Sequence, residues 1–145
     1  MADVRGCHFP EDLLYDVENH IWVKEEGGGK IKIGMTSVAT AMAGQLVAFT
    51  PKKVGRKVKA GRSCATVESG KWVGPAKSLA GGEVVASNDA LVAKPDLANE
   101  DPYANWMIEL QTDDWDSVKG DYVPGTDVAG PYEAKMEADG FAGCA

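Results

Sequence analysis

Lys71 stands at the end of the run Ala65-Thr66-Val67-Glu68-Ser69-Gly70-Lys71-Trp72, and a second strand-like run, Gly81-Gly82-Glu83-Val84-Val85, follows it closely. Small and β-branched residues approach the lysine. Glycine-bounded, β-branched residues return, so the pattern predicts a hairpin with a Gly-Lys turn at its tip. Gly61 and Gly82 lie ten residues before and eleven after Lys71, as two half-motifs folded about it. An amine held at such a tip stays in water, away from the body of the domain, where a modifying enzyme can reach it. Taken alone, a Gly-Lys pair serves equally well as a solubilising turn.

The remaining reactive residues do not assemble an enzyme. There are two histidines, and the chain has no HExxH, GxSxG, P-loop or dinucleotide fingerprint. No catalytic residue and no metal site is assigned. Cys7, Cys64 and Cys144 form no metal-ligand spacing. Cys64 reads as a small core residue on the strand leading to Lys71. Cys7 and Cys144, near opposite ends, are either incidental thiols or thiols that pair or exchange. A cytosolic setting disfavours a permanent disulfide between them, so both are expected to label quickly. His20, two residues before Trp22, reads as a hydrogen-bonded structural histidine at a strand start.

At 145 residues, 44% hydrophobic and 26% charged, the chain has the size of one domain that buries a core without staples. No apolar run has the length of a membrane span and none near the start resembles a leader, so a cytoplasmic protein with no membrane partner is expected. The net charge is −7, and residues 111–145 hold eight acids against two lysines. Lys52, Lys53, Arg56, Lys57, Lys59 and Arg62 form a basic stretch, either a solvated loop or a dock for an acidic partner. The acidic balance and the lack of interleaved aromatics argue against nucleic acid.

The elements that must position Lys71 are short strands. Residues 1–12 read as an irregular lead-in, 13–120 as the domain that carries Lys71, and 121–145 as an acidic tail, helical or loose. Strands are expected at Leu14–Val17, Ile21–Lys24, Lys30–Ile33 and Leu46–Phe49, with Glu26-Gly27-Gly28-Gly29 as a turn. Thr36 is placed to cap a helix over Ser37–Ala43 that Gly44 ends, with Val38 and Met42 on one face. Ile108 and Leu110 alternate with polar neighbours as a half-buried strand. Short helices are expected in the connector 88–102 and around Asp113–Lys119. Such a chain packs as a β-sandwich or flattened barrel.

Across about Tyr15 to Asp116 the chain resembles the glycine cleavage system H-protein family of lipoyl carriers. The matches include His20-Ile-Trp22, Gly34-Met-Thr36, Gly44-Gln-Leu46, Val67-Glu-Ser69, Lys71, Gly82-Glu-Val84, Asn88-Asp-Ala-Leu91 and Asn99-Glu-Asp-Pro-Tyr103. The resemblance implies a mainly β barrel-sandwich hybrid, hammerhead-like, with short peripheral helices. It implies lipoic acid bound covalently to Lys71, with Glu68, Ser69, Gly70, Trp72 and Gly82 recognised at the hairpin by a lipoate ligase or lipoyl transferase. It also puts His20 near the cleft in which the cofactor rests.

Around the lysine the pattern departs from the usual H protein. Gly70 and Trp72 replace a short aliphatic residue and an alanine, and Gly74-Pro75 replaces a Ser-Asp pair. The run Glu68-Ser-Gly-Lys-Trp-Val-Gly-Pro75 is most similar to the H-protein-like lipoate-binding proteins of sulfur oxidation. That likeness implies a carrier of sulfur-bound intermediates working with a heterodisulfide-reductase-like complex and dihydrolipoyl dehydrogenase. Two alternatives stand beside it. One is the glycine cleavage H protein, which passes an aminomethyl group between glycine decarboxylase and aminomethyltransferase. The other is an unmodified binding module.

Overall fold

The computed structural model describes residues 2–144. Strands β1 (Ala2–Val4), β2 (Cys7–Phe9), β3 (Leu14–Asp16), β4 (Ile21–Gly27) and β5 (Lys30–Met35) lead to helix α1 (Ser37–Ala43). Then come β6 (Leu46–Pro51), β7 (Lys57–Val58), β8 (Arg62–Ser69), β9 (Val73–Ser78) and β10 (Gly82–Ser87). The chain continues through α2 (Asp89–Ala93), α3 (Leu97–Glu100), β11 (Ile108–Thr112), α4 (Trp115–Val118), β12 (Val123–Pro124) and α5 (Ala129–Asp139). All strand pairs are antiparallel. β12-β3-β4-β5-β11-β10-β7 form one sheet, β6-β8-β9 a second, and β1-β2 a small third.

The expected barrel-sandwich hybrid is corrected here, because no sheet closes into a barrel. The architecture is a mainly β, lipoyl/biotinyl-carrier-like sandwich with short helices at its periphery. The edges explain why it stays open. β7 and β12 are two residues long, and Pro51 and Pro124 remove an N–H from the edge strands β6 and β12.

The return strand of the lysine hairpin also differs from expectation. β8 pairs with β9, matching Glu68 with Val73 and Thr66 with Pro75, whereas Gly82–Ser87 is β10 in the large sheet. Gly74 and Pro75 disguise β9 as loop. As an edge strand, β9 tolerates a proline that a central strand would not.

The core lies between the two larger sheets. Alternation on β8 sends Val67 and Ser69 inward and leaves Thr66 and Glu68 outside. Ile31, Ile33, Val84, Ile108 and Leu110 are fully buried opposite them, each contributing roughly 1.5–3 kcal/mol by burial. Cys64 lies in this core, where burial pushes its thiol up to about 12.

A second core joins Phe9, Tyr15, Trp22, Tyr132 and Met136. Phe9 stacks on Tyr132 with ring centroids 4.4 Å apart. The lead-in is therefore not irregular: β1 and β2 form a hairpin that α5 packs against. Arg5, on its turn, ion-pairs with Glu133 at 2.7 Å and Glu137 at 2.9 Å. Cys7 and Cys144 form a disulfide with a Cα–Cα distance of 4.9 Å, which overturns the expectation of two quickly labelled thiols. The spacing along the chain hides this pairing, since it depends on α5 returning the chain's end to β2.

Among the described residues no helix is long and apolar enough to cross a membrane.

Candidate functional site

The β8–β9 hairpin turns through Gly70-Lys71-Trp72. Ser69, nearly buried, secures the turn: its backbone N–H donates to the Trp72 carbonyl at 2.7 Å, and its hydroxyl accepts from the Lys71 N–H at 3.4 Å. Glu68 points out from the opposite face of the strand. Gly70 is outside the left-handed region and a Cβ there would meet open space, so the backbone does not demand a glycine.

Lys71 is exposed, and its side chain lies along Gly44. Gly44 ends α1 with φ 82° and ψ −168°, a conformation reserved for glycine, and its N–H donates to the Thr40 carbonyl at 3.0 Å. A Cβ on Gly44 would sit 3.3 Å from Lys71 Cε. The expected helix thus forms, with the Thr36 hydroxyl accepting from the Ala39 N–H. Its end supplies a smooth floor for the lysine. Val38 and Met42 divide their work: Val38 is buried in the aromatic core, and Met42 remains 40% exposed.

Beside Lys71 opens a cleft of about 500 Å³. Asn19, His20 and Ile21 form one wall, and α1 contributes Ala39, Met42 and Ala43. Val67, Trp72, Pro75 and Ala76 of the hairpin close the other side, with Met35 also facing in. Trp72 is 42% exposed, and its indole lies directly on Gly74, where any side chain would collide with it.

His20 is held in the left-handed region at φ 57°. The preceding turn is tied by Asp16, which accepts from the Asn19 N–H at 3.2 Å and from its side-chain amide at 2.7 Å. The imidazole stacks on Tyr132, and Nδ1 lies 3.2 Å from the tyrosine hydroxyl. Burial, followed by the nearby Lys135 charge, pushes the His20 pKa below its ordinary value. Burial pushes the Tyr132 hydroxyl up. His20 is held in place beside Asn19 on a wall that Ile21 and Met35 make largely apolar.

The structure therefore brings Lys71, Trp72 and His20 to one cleft, and places Glu68, Ser69 and Gly70 in the hairpin that presents the lysine. Gly82 is elsewhere: it lies between β7 and β11, with its Cα pressed on the Gln111 backbone, where only glycine fits. Sequence reasoning missed Met42, Ala39 and Asn19 as cleft residues and Gly44 as the floor beneath Lys71. The positive φ of a glycine after a capped helix was the available signal for Gly44. No cluster of three or more His, Cys, Asp or Glu side chains fit to hold a metal occurs among the described residues.

An exposed lysine at a hydrogen-bonded hairpin tip, backed by a largely apolar cleft, fits a covalently tethered apolar cofactor. The family described as glycine cleavage H-protein matches residues 13–130. Glycine cleavage system H protein 5 of Aquifex aeolicus is 54% identical over 116 residues, 77% of this chain and 78% of that one. H protein 2 of the same organism is 38% identical over 140 residues, 96% and 87% of the two chains. The crystal structure of a glycine cleavage system H protein from Mycobacterium marinum superposes with a TM-score of 0.67 at 36% identity, covering 72% of this chain and 86% of the other. The chain belongs to the glycine cleavage H-protein family, whose members are non-catalytic swinging-arm carriers with a lipoyl group covalently attached to a lysine.

Proposed function

We propose that Lys71 is the lipoyl lysine and that the chain serves as a glycine cleavage H protein, carrying an aminomethyl group between partner enzymes. The observation that carries the assignment is the placement of Lys71, exposed on the tip of β8–β9 and lying along Gly44 at the edge of the cleft. When bound, the lipoyl group supplies a dithiolane that opens to a dithiol, takes a group on sulfur and closes by thiol–disulfide exchange. The protein's own residues present and shelter it. Ser69 fixes the turn, Glu68 and Gly70 give a lipoate-ligase-type enzyme an accessible approach, and Trp72 adds apolar surface next to the arm. A dehydrogenase-type partner restores the disulfide.

A second reading, a sulfur-bound cargo passed to a heterodisulfide-reductase-like complex, is favoured by the half-exposed Trp72 lying against Gly74 beside the lysine. That large aromatic face suits a different partner or cargo. Glycine-dependent exchange of bicarbonate, run with the lipoylated protein and glycine decarboxylase, separates the two. Robust exchange that Lys71→Arg abolishes supports the aminomethyl carrier. Full lipoylation without exchange rejects it.

A further inference from the structure

The basic stretch ahead of β8 folds into two turns of one pattern. Lys53-Val54-Gly55-Arg56 and Lys59-Ala60-Gly61-Arg62 each run lysine, apolar residue, glycine, arginine. In the first, the Arg56 N–H donates to the Lys53 carbonyl at 3.0 Å; in the second, the Arg62 N–H donates to the Lys59 carbonyl at 3.0 Å. Gly55 at φ 92° and Gly61 at φ 78° supply the positive φ that the third residue of a type II turn requires. Both turns are pinned to neighbouring strands, since the Gly55 N–H donates to the Val84 carbonyl at 2.8 Å and the Gly61 N–H to the Ser78 carbonyl at 2.7 Å. Each turn thereby keeps a lysine and an arginine within about 7 Å of each other at Cα.

These cations find no counter-charge in the fold. Arg5, Lys32, Lys94, Lys119 and Lys135 each ion-pair with a carboxylate, whereas the exposed Lys53, Arg56, Lys59 and Arg62 do not, among the described residues. Glu83 lies across from Lys57, and Asp113 and Asp114 share a groove with Lys57 and Lys59, yet none of the three forms an ion pair with the turns. Lys77, opposite Ser63, adds an exposed cation beside the second turn. Val54 is 60% exposed at the tip of the first turn, an apolar centre with charges around it, as in a protein interface. A solvated face on a chain of net charge −7 needs neither the pinned turns nor the exposed valine.

We propose that the twin turns dock an acidic face of the enzyme that loads the arm, which is glycine decarboxylase under the reading above. This rests on Lys71 being the lipoyl lysine. The turns and the lysine stand at opposite ends of β8: Arg62 opens the strand and Ser69 ends it beside the tip, a span of about 23 Å at roughly 3.3 Å per residue. A partner held at the base leaves the tip free to enter an active site. Arginine and lysine in fixed pairs suit carboxylates on that partner. A shuttle must meet its enzyme and leave it in every cycle, and charge attraction raises the rate of encounter more than it raises affinity. A second copy of the chain is a poorer occupant, because joining this basic end to the acidic segment 111–145 of the next chain is a head-to-tail contact that propagates unless it closes into a ring.

The test uses the full-length lipoylated chain with glycine decarboxylase, and follows glycine-dependent bicarbonate exchange as the concentrations of the chain and of salt are varied. Lys53→Gln/Arg56→Gln and Lys59→Gln/Arg62→Gln should each raise KM, and the quadruple variant should raise it roughly tenfold, with kcat unchanged and the salt dependence of KM flattened. Val54→Ser should raise KM at every salt concentration. Lys24→Gln/Lys94→Gln, which removes the charge of one turn from elsewhere on the surface, should leave KM unchanged. A carbodiimide, which joins an amine directly to a carboxylate, should link Lys53 or Lys59 to aspartate or glutamate peptides of the decarboxylase. Normal exchange with the same KM in the quadruple variant, or an equal rise in the Lys24→Gln/Lys94→Gln control, would overturn the dock and leave the carrier assignment intact. A wild-type oligomer in sedimentation that the quadruple variant dissolves would give the turns to a second copy and overturn the dock as well. Absence of exchange by the lipoylated wild-type chain would overturn both readings.

Discussion

The Trp72 indole lies on the Cα of Gly74, two residues along the same face of the hairpin, so closely that a single methyl at position 74 would displace the ring. Gly74 is outside the left-handed region, so Gly74→Ala leaves the backbone unstrained. It should change Trp72 fluorescence and weaken coupling to partner enzymes at a stability change below about 1 kcal/mol. Because Trp72 is 42% exposed, Trp72→Ala should cost well under the roughly 3–5 kcal/mol of a buried tryptophan. A large fall in denaturation midpoint with unchanged partner coupling would assign the ring to the fold instead.

Gly44 gives the converse case, a glycine the backbone needs. At φ 82° and ψ −168° any side chain is strained, and the new methyl would crowd Lys71 Cε. Gly44→Ala is expected to destabilise by about 1–3 kcal/mol, measured by urea denaturation, and to slow lipoylation per folded molecule. A neutral effect on stability would contradict the observed cap.

Much of this was legible in the chain, and the failures share a cause. The cap at Thr36, the stop at Gly44 and the alternation of Ile108 and Leu110 are local signals, and all three are found. β9 was hidden because Gly74 and Pro75 read as breakers, although an edge strand accepts them. Closure into a barrel and the Cys7–Cys144 pairing depend on contacts between residues far apart in the chain, which periodicity does not encode. Likewise Lys71 and His20 stood out as residues, but the cleft between them exists only once α1 is folded across the hairpin.

His20 makes stability depend on pH. Burial lowers its folded pKa below the value near 6.5 of an unfolded histidine. Above about pH 6.5 both states are neutral and the group adds no pH dependence. Below it the unfolded chain takes the proton first, so stability falls on acidification. His20→Asn, which suits the left-handed backbone, should flatten this slope between about pH 7 and 5 in denaturation series. Glu25, held below the usual carboxylate range first by its hydrogen bond from Trp115 and also by Lys119, contributes stability lost at lower pH, so the two effects separate. Stability that rises as pH drops from 7 to 5 would contradict the neutral His20.

The disulfide between Cys7 and Cys144 spans 137 residues of sequence. In the chain-entropy account such a loop contributes up to about 5 kcal/mol. Native protein should therefore show no rapidly labelled terminal thiol, and Cys64 should react only on unfolding, given its burial. Cys7→Ser/Cys144→Ser should lower the denaturation midpoint and leave modification of Lys71 unchanged. Fast labelling of two thiols in the oxidised, folded protein would contradict the bridge.

The account turns on which lysine carries the arm. Peptide mass mapping of protein made with lipoate and a lipoate ligase decides it: the prediction is one lipoyl group per chain, on the peptide containing Lys71, and none on the Lys71→Arg variant. A lipoyl group found on Lys59 or Lys77 instead, with Lys71 unmodified, would contradict it.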